Sequence, residues 1–264
     1  MSQAWIDPRA VVHPEAKLGE DVVVGPFCVV GPEVVLGDRT RLEAHVVIDG
    51  RVRLGADNVV APFSSLGGPP QDLKYAGEPT SVTIGAGNRI CEYVTVSRGT
   101  AGGGGVTRIG DKNLFMAYTH IAHDADVGSR IVFANAATLA GHVEVGDDAT
   151  IGAFSGVHQF CRIARHAFVG GYSVVTQDAL PWVLTVGNRA VSHGVNIVGL
   201  KRKGIFLRHG GARCPGPRKG DRPQIRRGPV PTPVTSGEGK TGVQLLVVYY
   251  QRQQLEQRVE RQFQ

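Results

Sequence analysis

The sequence has few aromatic residues, 6% of 264 positions, and only two Met and two Trp. Large rings supply much of the volume of an ordinary packed core. Here Val, Ile, Leu and Ala must fill the interior instead, beside 36 Gly. Such a composition suggests many tight corners and argues against a conventional sandwich. The four cysteines, Cys28, Cys91, Cys161 and Cys214, stand far apart and form no Cys-x-x-Cys pair. That excludes a disulfide framework and fits reduced thiols in a cytoplasmic protein. The opening Met-Ser-Gln-Ala-Trp-Ile-Asp-Pro-Arg lacks the basic stretch and apolar run of a signal peptide. No apolar run reaches the roughly 20 residues of a transmembrane helix.

Charge of one sign is also missing from most of the chain. The overall balance is +6, but residues 201–264 hold 14 Lys/Arg against 4 Asp/Glu, leaving 15 basic and 19 acidic residues in 1–200. The basic character belongs to the C-terminal segment, so no nucleic-acid partner is expected. Several nucleotide and hydrolase signatures fail. No Gly-x-Ser-x-Gly elbow is present. Gly239-Lys240-Thr241 would need its first P-loop glycine at Val234. The run Gly102 to Gly105 lacks a following Lys and helix, and reads as a flexible loop.

What the sequence has is a period. Stepping by six from Ile6 gives an unbroken aliphatic series to Leu66, which resumes in phase at Ile84, Ile90 and Val96. After a slip of one residue it runs from Ile109 to Val175. Of 26 such positions, 24 are Val, Ile or Leu and two are Phe, and Gly or Ala follows at 17. A period of six smears around a 3.6-residue helix but stays on one face of extended chain. Three hexads make an 18-residue triangular coil, with the small residue letting the chain turn each corner. Coils stacked ~4.8 Å apart align the aliphatics in interior ladders. The fold expected is an all-β solenoid, a parallel β-helix, over residues 1–200.

Two segments interrupt the pattern. Residues 67–83 put Asp72 and Glu78 at aliphatic positions; the segment reads as a compact charged loop that carries binding groups. Residues 97–108 contain the slip, and read either as a binding loop or as a tolerated insertion. Histidine clusters in the second half. His123 and His142 are 19 residues apart, His142 and His158 are 16 apart, each close to one coil. Stacking would align them in a groove, with His120 nearby. His123 can accept a proton near neutral pH. Asp124 is the obvious orienting partner, yet neighbours in a strand point to opposite faces, so it helps only if the pair sits at a corner. His120-x-x-His123 could also be read as two metal ligands, an awkward bite within one coil. Cys161 beside His158 reads as a buried structural thiol.

The segments Gln71-Asp-Leu-Lys-Tyr-Ala-Gly-Glu-Pro-Thr80 and His120-Ile-Ala-His-Asp124 resemble one family closely, the acyl-carrier-protein:UDP-N-acetylglucosamine O-acyltransferases of lipid A synthesis. Ala140-Gly-His-Val143, Val157-His-Gln-Phe-Cys161, Val169-Gly-Gly171 and Gly194 to Gly204 carry the likeness further. The resemblance implies a left-handed β-helix; the hand comes from it alone, since parallel crossovers are normally right-handed. It implies transfer of a 3-hydroxyacyl chain from acyl carrier protein to the 3-hydroxyl of UDP-N-acetylglucosamine, by a homotrimer with sites between subunits, without a cofactor or metal. By the same likeness His123 is the general base and the Gly141 N–H an oxyanion donor. Gln71, Asp72, Lys74, His120, His142, His158, Gln159, Asn196, Arg202 and Lys203 match substrate-binding positions, and Gly171 the position that limits acyl length. A structural solenoid without activity, and a zinc enzyme like the γ-class carbonic anhydrases, are the alternatives.

The C-terminal region departs from the family. Where a helical domain is expected, residues 201–264 are basic and rich in Gly, Pro and Arg, the composition of a linker or of disorder. A shift of reading frame just after Gly204 would account for this. With suitable codons Gly-Ile-Phe-Leu-Arg-His-Gly-Gly-Ala-Arg becomes Gly-Phe-Ser-Ser-Ala-Thr-Ala-Ala-Leu-Asp, a capped helix start. A genuine divergent tail is the other reading, and resequencing the gene separates them.

Overall fold

In a computed structural model, residues 4–202 are described. Lys203 and the basic Gly/Pro/Arg-rich segment lie outside them, and so does the proposed change of frame. The described residues fall into a unit that ends at Asn196 and the start of a second that begins at Ile197. The second contributes the short helix Ile197–Arg202 to the described residues. The first is a parallel β-helix of three sheets with 11, 9 and 8 strands, each visited once per coil. Trp5–Ile6 opens the first sheet, Val11–Val12 the second and Lys17–Leu18 the third. Most strands are two residues long and pair in parallel with the strand 18 positions on, as Val29 does with Val47.

The hexad positions form the interior. From Val24 to Val175 every one is buried; Ile6, Val12 and Leu18 of the first coil are not. The rings of Phe115 and Phe133 stack inside at 5.0 Å. Polar ladders run beside them. Asn58, Asn88 and Asn113 are buried and bond coil to coil: Asn88 Nδ2 donates to Asn58 Oδ1 at 3.0 Å, and the Asn113 N–H donates to Asn88 Oδ1 at 2.8 Å. Replacing Asn88 by Leu strands these partners without water, at about 1–3 kcal/mol for each unsatisfied group. Thermal unfolding at fixed protein concentration should show a lowered midpoint; an unchanged one would mean that the ladder adds nothing.

The corners are built differently from the sequence-based expectation. The small residue after each aliphatic does not make the turn. It admits the next coil: at Gly37 a Cβ would lie 2.5 Å from the Gly55 carbonyl carbon. The turn is made by the residue two positions further on, which takes the left-handed conformation and is seldom glycine: Phe27 (φ 60), Arg39 (φ 56), Asp124 (φ 59) and His142 (φ 60) are examples. Left-handed backbone points that side chain outward, so each edge of the prism carries a visible ladder. Between the first and second sheets the ladder is aromatic, with Phe27, His45, Phe63, Tyr93 and Tyr118 stacked in turn. Between the third and first sheets it is charged and paired across coils, as in Arg39 with Asp57 and Arg130 with Asp148. The edge between the second and third sheets carries Asp124, His142 and Phe160.

The antiparallel hairpin of Val183–Val186 and Val191–Val195 closes the first sheet after the last full coil.

Candidate active site

The edge between the second and third sheets gathers most of the residues singled out in the sequence. Strand His120–Ile121 ends in the second sheet and Asp126–Val127 begins in the third, so His123 and Asp124 form the corner between them. This removes the geometric objection to their pairing. His123 Nδ1 lies 2.9 Å from Asp124 Oδ2, with the carboxylate side chain 1% exposed and the imidazole 15%. Register places Gly141 over His123, because Ile121 pairs with Leu139. A Cβ on Gly141 would come within 2.5 Å of His123 Cε1 and 2.8 Å of Nε2, so only glycine leaves the ring its place. Among the described residues no hydrogen bond engages the Gly141 N–H. It lies beside the imidazole edge, free to bind a ligand oxygen.

His142 follows on the next coil. Its ring meets that of His123 edge-on at 5.1 Å, stacks on Phe160 at 4.5 Å, and brings Nε2 to 3.9 Å from Asp124 Oδ2. His158 is on the third coil at the same corner, but register sets it opposite Ala140, not His142, since Val157 pairs with Leu139. It is exposed, as is Gln159, and its Nδ1 bonds the Gln159 carbonyl oxygen at 3.2 Å. The alignment expected of the three histidines therefore holds as a contact for two of them. His120 points from the second sheet, with Nδ1 2.7 Å from the Thr95 hydroxyl. Burial, and then the neighbouring charge of His123, push its pKa below the usual histidine range.

Both interruptions of the repeat leave the prism at this same edge. Leu66 pairs with Val96, and Val96 with Ile121, so steps of 30 and 25 residues replace 18. The first loop is open and carries its polar groups outward. Asp72 Oδ1 accepts the Lys74 N–H at 3.0 Å, and Asp72, Lys74, Tyr75 and Glu78 line one groove together with His142 and Phe160. Gln71 is exposed in the same loop. Arg98 anchors it, donating to Tyr75 Oη at 3.0 Å and to the Gly67 carbonyl oxygen at 3.2 Å. The second loop packs against the corner. Thr100 caps a single turn, Ala101–Gly103, and both its N–H and its hydroxyl donate to Asp124.

Arg98, Thr100 and Thr107 were not among the residues the motifs picked out. A signal was present: the slip adds seven residues between Val96 and Ile109 to the coil below His123, which puts the loop directly against that corner. Gly171 sits elsewhere, exposed at the edge between the first and second sheets beside Tyr172. Asn196 follows the closing hairpin, its N–H donating to the Trp182 carbonyl oxygen. Arg202 is exposed in the last turn of the helix Ile197–Arg202. Burial raises the thiol pKa of Cys28 and Cys91, and Cys161 is buried.

Could a cation sit here? Among the described residues, His123, Asp124 and His142 bring one donor atom each within 4.8 Å of one another. Asp124 Oδ2 already accepts from Thr100 and bonds His123, so the three form a hydrogen-bonded network rather than an open cage. The pair His120 and His123, the ligands suggested by sequence spacing, is divided, because His120 Nδ1 is engaged with Thr95.

A buried carboxylate, an imidazole fixed by it and an adjacent free N–H at the corner of a hexapeptide prism are the equipment of an acyl-transfer site. Solved structures agree. The chain is similar to the UDP-N-acetylglucosamine O-acyltransferase of Moraxella catarrhalis, at 44% identity and TM-score 0.74 over 75% of this chain and 77% of that one. It is similar to the acyltransferase of Francisella novicida at 40% identity and TM-score 0.75, covering 76% and 74%. The Arabidopsis enzyme matches at 36% identity and TM-score 0.67, covering 76% and 78%. No family model matches the chain. The protein is an acyltransferase built on a left-handed parallel β-helix. It belongs to the family of the UDP-N-acetylglucosamine acyltransferases.

Proposed function

We propose that the protein transfers a 3-hydroxyacyl chain from acyl carrier protein to the 3-hydroxyl of UDP-N-acetylglucosamine, the first step of lipid A biosynthesis. His123 is the general base. Its neutral imidazole takes the hydroxyl proton at Nε2 as the sugar oxygen attacks the thioester carbonyl. The Gly141 N–H stabilises the oxyanion that develops. Collapse of the intermediate breaks the carbon–sulfur bond and expels the carrier thiolate, which recovers the proton from His123. The step needs no cofactor and no acyl-enzyme. Asp72 and Lys74 bind the sugar and the phosphate, Lys74 supplying the cation for the diphosphate. The observation that carries this reading is the bond from His123 Nδ1 to the buried Asp124 carboxylate, which leaves Nε2 as the basic nitrogen next to Gly141.

We read the working unit as a cytoplasmic homotrimer. The groove at His142 is open, walled by one prism edge and two loops, so a second subunit is the natural other wall. The test is an assay of the full-length protein with UDP-N-acetylglucosamine and a series of 3-hydroxyacyl carrier proteins. Acylated UDP-sugar is expected, with one chain length preferred. Product from acyl coenzyme A alone, with none from any carrier protein, would overturn the donor assignment.

A further inference from the structure

Asp124 is gripped by the loop that breaks the repeat. We propose that Thr100 is a positioning residue for the base, holding the Asp124 carboxylate in the orientation that fixes His123 through Nδ1. This rests on the reading of His123 as general base and deepens it. The Thr100 N–H donates to Asp124 Oδ1 at 2.9 Å and the Thr100 hydroxyl to Oδ2 at 2.6 Å. Oδ2 is the oxygen that bonds His123. The hydroxyl proton is committed to it, because the same Thr100 oxygen accepts the Gly103 N–H at 3.1 Å. The Asp124 backbone is held as well, its N–H donating to Thr107 Oγ1 at 2.9 Å.

The glycines beside Thr100 make room for this grip. A Cβ on Gly103 would run into the Asp124 carboxyl, and one on Gly99 would lie 2.8 Å from Oδ1. With the carboxylate 1% exposed, no bulk water replaces a lost donor. Freed from Thr100, the carboxylate can rotate about its own bond, and the His123 ring turns with it. Thr100 also lines the groove with Asp72, Lys74 and His142. As a clamp acting through Asp124, its hydroxyl is felt in turnover rather than in affinity, which sets it apart from a direct substrate contact.

The experiment compares Thr100→Val, Thr100→Ser and His123→Ala in the full-length chain, with initial rates against both substrates and thermal unfolding alongside. Thr100→Val should lower kcat about ten- to a hundred-fold, the scale of a lost outer-shell hydrogen bond. KM for each substrate should stay within about twofold, and the unfolding midpoint should drop modestly for the lost buried bond while the variant stays folded at the assay temperature. Thr100→Ser, which keeps the hydroxyl, should restore most of kcat. If the Val variant does not fold, Thr100→Ala carries the same comparison. Undiminished kcat in the Val or Ala variant, a Ser variant as impaired as Val, or a loss shared equally by KM and the unfolding midpoint would overturn the proposal. His123→Ala separates the two readings. If it keeps its turnover, the general base itself falls and the clamp with it. If it is inactive while Thr100→Val is not, only the clamp falls.

Discussion

His123→Ala should lower kcat by about 10²–10⁴-fold, the usual contribution of a positioned base, while the prism stays folded. The ring is at a corner, outside the aliphatic ladder, and its neighbours Ile121 and Val127 are rungs of the interior that do not depend on it. Removing it opens space over Gly141 without leaving a cavity in the core. On the proposed mechanism KM for UDP-N-acetylglucosamine should change little, since the imidazole would act on the reacting hydroxyl alone. His120 is a poor substitute. Burial lowers its pKa and so weakens it as a base, and its Nδ1 is tied to Thr95. Initial-rate measurements on both proteins check this, and turnover within about threefold of the unaltered enzyme would remove His123 from the role.

The solenoid was legible because its signal is periodic. Aliphatics at Ile6, Val12 and Leu18 repeat to Val175, and stacked coils satisfy such a pattern with every rung from Val24 onward buried. The corner geometry was not legible. Period alone cannot separate a residue that turns the chain from one that lets the next coil approach, and both fall at fixed places in each hexad. Hence the small residue of each hexad, such as Gly37, reads as the turn that Arg39 in fact makes. The pairing of His123 with Asp124 was doubtful for the same reason: adjacent residues diverge in a strand and converge only at a left-handed corner. The grip of Thr100 on Asp124 spans 24 positions and depends on a loop whose path no local pattern fixes. Counting residues locates that loop at the right corner; it does not say which hydroxyl enters. Gly171, Gln159 and His158 match a family position by position, yet among the described residues none of them bonds to His123 or stacks on it.

Asp124→Asn should cost about as much as loss of the base, with the shape of the corner nearly unchanged. The carboxylate accepts on both oxygens: Oδ1 takes the Thr100 N–H, while Oδ2 takes the Thr100 hydroxyl and faces His123 Nδ1. An amide has one accepting end. If its oxygen replaces Oδ2, its NH2 confronts the Thr100 N–H, and a buried donor is left unpaired at about 1–3 kcal/mol. If its oxygen replaces Oδ1, its NH2 faces Nδ1 and donates to it. The imidazole then carries its proton on Nε2, the nitrogen that must accept one from the sugar. The second arrangement avoids facing N–H groups at Thr100, and the Thr100 hydroxyl is the weaker donor to displace, so it should prevail. The wrong tautomer at a catalytic histidine has cost on the order of 10⁴ in kcat in a serine protease, and about 10²–10⁴ is the expectation here. Asp124→Ala should be milder than Asn, because it removes the orienting acceptor without imposing a donor, and either tautomer remains open to the ring. That ordering, Asn below Ala, is what initial rates at one pH can read. If Asn is as active as Asp, the carboxylate does not set the tautomer. If Ala falls well below Asn, Asp124 serves the corner as a brace rather than the base as its partner.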